Sequence, residues 1–169
     1  MRAIHPALKR KLPAARARRT NGKRIESVER RGKHQLLALD SGDTLVVHFR
    51  MNGDWEIGTV HDELDRFARA VIELSDGTRV SLVDRRALSS ITLDREGTSS
   101  LPSLGREASD ATLDAAYLLA ALKRRKIAIK PALLDQSIVA GLGNIYAAEA
   151  LWEAELDPRT LSPKIPNSS

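Results

Sequence analysis

The sequence predicts an α+β protein in which an antiparallel β-sandwich is followed by a helical region. Residues 24–30 alternate with period two, and turn-forming residues divide the stretch that follows, up to residue 93, into short apolar runs. A connection rich in Gly, Ser and Pro then runs from Glu96 to Gly105, and apolar residues beyond it recur near helical spacing. We therefore predict a partial sandwich domain over residues 1–95 and a helical domain over residues 105–160.

The strands of the sandwich follow from the apolar runs taken in order. The stretch from Pro6 to Gly22 shows no strand pattern and is predicted to be loose. Beyond it, strands are predicted over residues 24–30, 34–39, 44–49, 55–57, 68–74, 79–83 and 87–93. Turn signals at Asp40–Asp43 and Ser75–Thr78 join neighbouring runs as hairpins, which makes the predicted sheets antiparallel.

The helical domain is predicted from cap residues and helix breakers. Helices are predicted over residues 110–125, 131–135 and 145–155. Asp110 suits the N-cap of the first, Pro131 suits the first turn of the second, and Pro158 cannot continue the third. A Gly-Leu-Gly-Asn sequence at residues 141–144 separates the second and third helices, and the tail from Ser162 to Ser169 is predicted to be frayed.

The composition excludes several classes of protein. The chain has 169 residues and no cysteine, which excludes disulfide scaffolds, cysteine-ligated zinc sites and thiol catalysis. No apolar run approaches the ~20 residues that a bilayer span requires, and the first residues lack the apolar stretch of a signal peptide. We therefore expect a soluble cytoplasmic protein without membrane partners. An aromatic content of 4% counts against single-strand binding by base stacking.

Positive charge is concentrated at the amino-terminal end of the chain. Residues 1–33 contain twelve Lys or Arg and two Glu, a net charge of +10. The remaining residues carry fifteen basic and twenty acidic side chains, a net charge of −5, which accounts for the overall +5. A polyanion is the natural partner of such a segment, because each neutralised phosphate releases counterions. A solvated basic arm without a partner is an equally open interpretation.

One segment carries a specific resemblance to a known family. The sequence LLDQSIVAGLGNIYAAEALW at residues 133–152 closely resembles the helix-two-turn-helix of the formamidopyrimidine-DNA glycosylase and endonuclease VIII family. Further matching motifs are IAIKP at 127–131, RRGK at 30–33, HFRMNG at 48–53 and DRR at 84–86, the last being similar to the family's Asp-Pro-Arg-Arg-Phe segment. The resemblance keeps the family's order from about Lys11 to Pro158.

The resemblance implies a DNA base excision repair protein. Members of this family bind damaged double-stranded DNA, excise oxidised purines as glycosylases and nick the abasic site as lyases. A monomer that works on the nucleoid in the cytoplasm is therefore expected, with damaged duplex DNA as its partner. The family's cysteine-ligated zinc finger has no counterpart in this sequence, so no metal and no other cofactor is expected.

Gly141, Gly143 and Asn144 are the first predicted DNA contacts. The two glycines permit backbone conformations that expose successive amide N–H groups, and Asn144 opens a helix whose positive dipole end favours an anion. A DNA phosphate is the expected anion. An ordinary glycine turn between two packed helices is the alternative, and the surrounding resemblance favours phosphate binding.

Lys33 and Met51 are the next predicted contacts. By resemblance, Lys33 reaches into the lesion site and contacts DNA, which makes it the one catalytic candidate, although a solvated charge beside Arg30 and Arg31 is the ordinary interpretation. Met51 is by resemblance inserted into the duplex where the damaged nucleotide is flipped out, although such a methionine is ordinarily a core filler. His48 is interpreted as a strand-packing residue rather than a metal ligand or a base.

Three more basic residues complete the predicted DNA contacts. Arg85 and Arg86 could clasp phosphate or fill the space left by the flipped base, since a guanidinium is a planar fork of donors, and a surface pair on a loop is the alternative. Lys130 belongs to a second basic cluster with residues 123–126, part of which faces solvent only. Ala87 matches the family's wedge phenylalanine and is too small to stack on a base.

The catalytic opening of the family is not found in this sequence. Family enzymes use an N-terminal proline as nucleophile and the glutamate after it as general acid and base. Here the chain starts with Met1 and Arg2, and its first carboxylate is Glu26. A glycosylase and lyase is the hypothesis favoured for family membership, and a non-catalytic DNA-binding remnant or fragment is favoured for this polypeptide. An RNA-binding or ribosome-associated protein would explain the basic arm but not residues 141–152.

Overall fold

The structure, a computed structural model, describes residues 1–165 of the chain. The chain divides into two compact units, the first from Met1 to Ser100 and the second from Leu101 onward. The α+β class is confirmed, because antiparallel sheets fill the first unit and helices dominate the second. Each unit is described by itself below.

The first unit is built from two four-stranded antiparallel sheets. Its strands are β1 (Arg2–Ala3), β2 (Ile25–Arg31), β3 (His34–Leu39), β4 (Thr44–His48), β5 (Asp54–Thr59), β6 (Ala68–Glu73), β7 (Thr78–Val83) and β8 (Ser90–Asp94). The strand orders are β1-β6-β7-β5 and β2-β3-β4-β8. Each predicted strand has a counterpart here, with ends that differ by up to three residues.

The core of the first unit is formed by the apolar positions of both sheets. Leu37, Leu45 and Ile91 come from one sheet, Leu82 and Ala70 come from the other, and all five belong to one buried cluster. The inner strands β4 and β6 bury consecutive residues and hence both of their faces, whereas the edge strands β2 and β5 are mostly exposed. Continuous apolar runs in the sequence, such as residues 45–47 and 70–72, therefore lie in strands that are buried on both faces.

The prediction of a loose stretch from Pro6 to Gly22 was wrong. Helix α1 (Pro6–Lys11) and helix α2 (Ala14–Ala17) lie there, followed by one turn of 3₁₀-helix. His5 caps α1, since its Nδ1 accepts a hydrogen bond of 3.2 Å from the amide of Ala7. Leu8 and Leu12, four residues apart, are buried in the sandwich core. The density of Lys and Arg around these two leucines obscured a short amphipathic helix.

The second unit packs three short helices around a small core. Its elements are β9 (Arg106–Glu107), α3 (Ala115–Lys123), α4 (Ile129–Leu134), β10 (Val139–Ala140) and α5 (Asn144–Glu153). Strands β9 and β10 form a parallel pair that the sequence did not predict. Leu122, Ile129, Leu133, Ala147 and Leu151 bury their side chains together, so α3, α4 and α5 share one core.

Two boundary predictions in the second unit were wrong. The cap of α3 is Asp114, whose Oδ1 accepts the amide of Tyr117 at 2.7 Å, whereas Asp110 accepts the amide of Thr112 in a local turn four residues earlier. The tail is not frayed at its start, because Ser162 is buried and donates its hydroxyl to the Ile127 carbonyl at 2.8 Å. The rest of that prediction, residues 166–169, lies outside the described residues. Within residues 1–165, no helix is long and apolar enough to cross a membrane.

Candidate nucleic-acid interface

The glycine turn between α4 and α5 differs in detail from the prediction of successive exposed amides. Gly141 has a φ of +86°, a left-handed conformation that favours glycine, but its amide donates to the side-chain Oε1 of Gln136 at 3.0 Å. Gly143 has an extended φ of −112° and occupies the N-cap position of α5. The amide of Gly141 is therefore already hydrogen-bonded within the protein, and the amides that a ligand could contact lie after it in the chain.

Gln136 holds the turn from one side, and the sequence interpretation missed it. Its Nε2 donates to the carbonyl of Leu134 at 2.9 Å and to the carbonyl of Leu142 at 3.0 Å, while its Oε1 accepts from Gly141. One amide side chain thus satisfies three backbone groups that the glycine turn leaves without helix or sheet partners. The signal in the sequence was a glutamine five residues before a glycine pair, which is weak by itself.

The amino terminus of α5 offers the donors that the turn itself does not. Asn144, Ile145 and Tyr146 form its first turn, and all three are exposed. The first amides of an α-helix have no carbonyl one turn earlier to receive them, and they carry the positive end of the helix dipole. Gly143 provides no side-chain cap, and no acidic residue lies in the first turn. The site is chemically suited to an anion such as phosphate.

The remaining predicted residue of the second unit is Lys130. It lies in α4, which packs against α5, and its side chain is half-buried. Arg125, from the neighbouring basic cluster, has a structural role instead. Its guanidinium contacts the carboxylate of Asp135 at 3.0 Å and the hydroxyl of Ser137 at 3.0 Å.

In the first unit, the strand register brings the predicted residues to one end of the sheet β2-β3-β4-β8. Lys33 is exposed in the two-residue turn between Arg31 and His34, which pair with each other. Because Gln35 pairs with Val47, the register places His34 beside His48, and His48 pairs with Ser90 at the start of β8. The β2–β3 turn, the Arg50–Gly53 turn after β4 and the loop before β8 therefore all lie at this end, and we call them the three end loops.

Met51 is at the exposed tip of the second end loop, so it is not a core filler. Its exposure is 71%. The loop is anchored by His48, whose Nδ1 accepts the amide of Arg50 at 2.9 Å, and by Phe49, whose carbonyl accepts the amide of Gly53 at 3.1 Å. Arg50 itself has a φ of +61°, a conformation that side-chain-bearing residues rarely adopt and that often marks functional loops.

His48 packs at the end of its strand, as predicted, and its environment keeps it neutral. The pKa of His48 is lowered to about 4, and burial is the main cause. The positive charges of Arg50 and Lys33 and the neighbouring His34 act in the same direction. Its ring contacts the ring of His34 edge-on, with centroids 4.7 Å apart. A neutral imidazole is required for the hydrogen bond that Nδ1 accepts, so the anchor of the Met51 loop depends on this low pKa.

The third end loop, from Asp84 to Ser89, is organised by one buried carboxylate. Asp84 is fully buried and accepts the amides of Arg86, Leu88 and Ser89 at 2.7 to 3.0 Å as well as the Ser89 hydroxyl at 2.7 Å. Burial alone raises the pKa of Asp84, but the hydrogen bonds from Ser89, Arg86 and Leu88 outweigh it and hold the pKa below its usual value. Because these bonds hold residues 84–89 in a loop, β8 starts at Ser90 and not at Ala87 as predicted.

Ser89 joins the second and third end loops. Its hydroxyl lies 3.0 Å from the carbonyl of Phe49, and a Cβ on Gly53 would meet that hydroxyl oxygen at only 2.2 Å. Arg85 and Arg86 extend from the third loop and are both exposed. The two arginines and Met51 are thus carried by loops that are bonded to each other.

The apolar side chain that the third loop exposes is Leu88 rather than Ala87. Ala87 is half-buried and has a φ of +53°, whereas Leu88 is 41% exposed. The resemblance assigns the family's wedge position to Ala87, and the exposed position of Leu88 was not predicted. Local backbone conformation, which the residue pattern does not reveal, decides which of the two faces outward.

The comparisons with known proteins agree with this architecture. The profile of the formamidopyrimidine-DNA glycosylase N-terminal domain matches residues 2–91, and that of the formamidopyrimidine-DNA glycosylase H2TH domain matches residues 104–169. The chain belongs to the formamidopyrimidine-DNA glycosylase family. The recognition made from residues 133–152 is confirmed, and the family's helix-two-turn-helix corresponds to the second unit.

Curated relatives and solved structures extend the match over nearly the whole chain. The formamidopyrimidine-DNA glycosylase of Ligilactobacillus salivarius is 39% identical over 85% of this chain and 53% of its own length, and that of a Ruegeria species is 35% identical over 96% and 62%. The Lactococcus lactis protein in complex with FAPY-dG-containing DNA has a TM-score of 0.88 at 25% identity, covering 98% of this chain and 64% of that one. The MutM (Fpg) protein from Thermus thermophilus has a TM-score of 0.83 at 31% identity, covering 98% and 60%. The chain thus spans about three fifths of the length of such relatives.

No metal-binding cluster accompanies these features in the described part of the chain. Residues 1–165 contain no group of three or more His, Asp or Glu side chains that could hold a metal ion. The absence of cysteine from the whole sequence excludes the cysteine ligands of the zinc finger known in the family.

Proposed function

We propose that this chain binds damaged double-stranded DNA in base excision repair. The observation that carries the proposal is the uncapped amino terminus of α5, which lies at the glycine turn of a unit that matches the family's helix-two-turn-helix. Backbone donors at a helix amino terminus bind phosphate without reading base sequence. Gly143, Asn144 and Lys130 are the proposed contacts, and Gly141 contributes through the shape of the turn.

The three end loops of the first unit support the same function. Lys33, Arg85 and Arg86 place positive charge there, and Met51 and Leu88 are exposed apolar side chains of the kind that wedges between base steps. We assign Met51 to insertion at the site of a flipped nucleotide, with Leu88 in the wedge role for which Ala87 is too small. Lys33 is assigned to the lesion site, as the resemblance implies.

Excision of an oxidised purine followed by strand nicking is the reaction we propose for the protein as a family member. For a polypeptide of these 169 residues, binding without excision is the second candidate. By this candidate we mean binding with no covalent step, neither excision nor nicking, and it is supported by the donors at the start of α5, which depend on no residue outside this sequence. Lys33 carries the amine assigned to the lesion site, and attack of its neutral form on the C1′ aldehyde of a ring-opened abasic sugar would give a Schiff base with loss of water, an outcome that contradicts binding alone.

Binding and chemistry are tested separately. For binding, Asn144→Ala is expected to weaken affinity for lesion-containing and intact duplexes alike, measured by fluorescence anisotropy. Ser109→Ala, an exposed polar position in the same unit, is the matched control and should leave affinity unchanged. Equal affinities for Asn144→Ala and wild type would remove the Asn144 side chain from the proposed phosphate site.

For chemistry, the protein is incubated with a duplex that contains an abasic site, and borohydride is then added. Binding without a covalent step predicts a bound complex and no covalent adduct at the abasic site. An adduct that disappears in Lys33→Arg would instead identify Lys33 as the nucleophile and overturn the second candidate. Arg31→Lys, which adds an amine next to the turn, is the control for non-specific trapping.

A further inference from the structure

Three arginines surround one phenylalanine in the first unit, and the proposed function does not use two of them. The guanidinium carbons of Arg66, Arg85 and Arg69 lie 4.5, 5.4 and 5.8 Å from the ring centroid of Phe67. Each distance is within the range of a cation–π contact. Three positive charges therefore lie within 5.8 Å of one ring centroid, and a nearby anion would interact favourably with each of them.

The cluster contains no carboxylate that neutralises it within the described residues. No ion pair joins Arg66, Arg69 or Arg85 to an acidic side chain at 4.0 Å or less across residues 1–165. The two acids nearest in sequence accept backbone amides and form no ion pair with the three arginines. Asp65 accepts the amide of Phe67, and Asp84 accepts the three amides and the hydroxyl of its own loop.

The three arginines are not equivalent in what they can do. Arg69 is half-buried, and its Nε and Nη2 donate to the carbonyls of Asp84 and Arg85 at 2.7 and 3.3 Å. It therefore ties strand β6 to the third end loop. Arg66 and Arg85 are exposed, and their guanidinium groups lie against the ring. Phe67 limits the freedom of both, so less rotamer entropy is lost when an anion binds.

We propose that Arg66 and Arg85, held over Phe67, bind a backbone phosphodiester of duplex DNA, with Arg69 as the residue that positions them. The planar guanidinium matches the oxygens of a phosphate in a two-pronged contact. Arg85 belongs to the same loop as Arg86 and Leu88, so the phosphate is one that flanks the position where this loop meets the duplex. The site contributes affinity for any duplex and no sequence preference. This inference rests on the proposed function.

The test measures the salt dependence of duplex binding. Each phosphate contact that is lost reduces the slope of log Kobs against log salt concentration by about 0.9. Arg66→Gln and Arg85→Gln are each expected to lower the slope by about this amount and to weaken binding several-fold, equally for lesion-containing and intact duplexes. Arg95→Gln is the matched control, since Arg95 is also exposed but follows β8 at the opposite end of the sheet.

A second pair of variants separates the ring from general packing. Phe67→Tyr keeps the aromatic face and should keep the wild-type slope, whereas Phe67→Leu removes the face and should give part of the loss seen for Arg66→Gln. Thermal unfolding of every variant shows whether the fold is intact. If the slope falls in every variant that loses stability, whether or not the variant keeps an aromatic ring at position 67, the role of the ring is contradicted.

The outcomes distinguish this inference from the proposed function. If wild type does not bind duplex DNA, the proposed function fails and the arginine site fails with it. If wild type binds, and Asn144→Ala weakens it, but Arg66→Gln and Arg85→Gln behave like Arg95→Gln, only the arginine site is overturned. Slopes reduced in both arginine variants and unchanged in the control support it.

Discussion

The two units present their proposed DNA contacts by different physical means. In the second unit the donors are backbone amides at the start of α5, and their positions are set by the helix and by Gln136. In the first unit the contacts are long side chains on loops, and their positions are set by Asp84 and His48 beneath them. The anchors and the contact residues therefore differ as targets for substitution: we expect loss of an anchor to lower stability, and loss of a contact side chain to change binding and leave stability nearly unchanged.

The largest expected effect is on stability in the first unit. Asp84→Ala leaves three buried or half-buried amides without an acceptor, and we expect the free energy of unfolding to fall by about 3–5 kcal/mol, since each unsatisfied buried donor costs about 1–3 kcal/mol. Urea unfolding followed by circular dichroism measures the loss. Asp40→Ala, at an exposed turn, should change it by less than about 0.5 kcal/mol. Equal midpoints for the two variants would show that Asp84 is not an anchor.

The next effect is at the anchor of the second unit. Gln136→Ala removes three hydrogen bonds from the glycine turn, so we expect a loss of about 1–3 kcal/mol in stability and a loss of tenfold or more in duplex affinity. Gln136→Glu keeps the acceptor for Gly141 but loses both donors and should be intermediate. Wild-type affinity in Gln136→Ala would mean that the turn is rigid without its side chain.

A pH effect distinguishes the histidine anchor from the carboxylate anchor. The unfolded chain protonates His48 below about pH 6.5, whereas the folded protein resists protonation until about pH 4. Stability is therefore complete above about pH 6.5 and is lost progressively as the pH falls from there to about 4. Urea midpoints at pH 7.5 and pH 5 should differ more for wild type than for His48→Asn, whose side chain does not titrate. An equal difference in the two proteins would contradict the assignment.

The smallest effects belong to the exposed contact side chains. Met51→Ala and Leu88→Ala should each leave stability within about 0.5 kcal/mol of wild type, because neither side chain is buried. Each should lower the preference for a lesion-containing duplex over an intact one by a few-fold, with the double variant lower than either. Competition binding with the two duplexes measures this preference. An unchanged preference in the double variant would remove the wedge role from both residues.

The sequence predicted regular structure better than it predicted the anchors. Short apolar runs between turn signals located the strands, because a strand buried in a sheet needs apolar side chains and the chain must turn at each end of it. The helix at Pro6–Lys11 was missed, because two leucines in a basic segment are a weak signal. Gln136 and Asp84 act through backbone groups that only the folded chain brings near, and Leu88 faces outward because of a left-handed φ at Ala87. Residue types alone specify none of these arrangements.

The most direct test of the central claim follows the backbone amides themselves. In ¹⁵N-labelled protein titrated with a lesion-containing duplex, we expect the amide resonances of Gly143, Asn144 and Ile145 to shift in step with complex formation, while that of Gly141, already bonded to Gln136, shifts less. Saturable DNA binding that leaves the resonances of residues 143–145 unmoved would contradict the claim that this helix terminus grips the phosphate backbone.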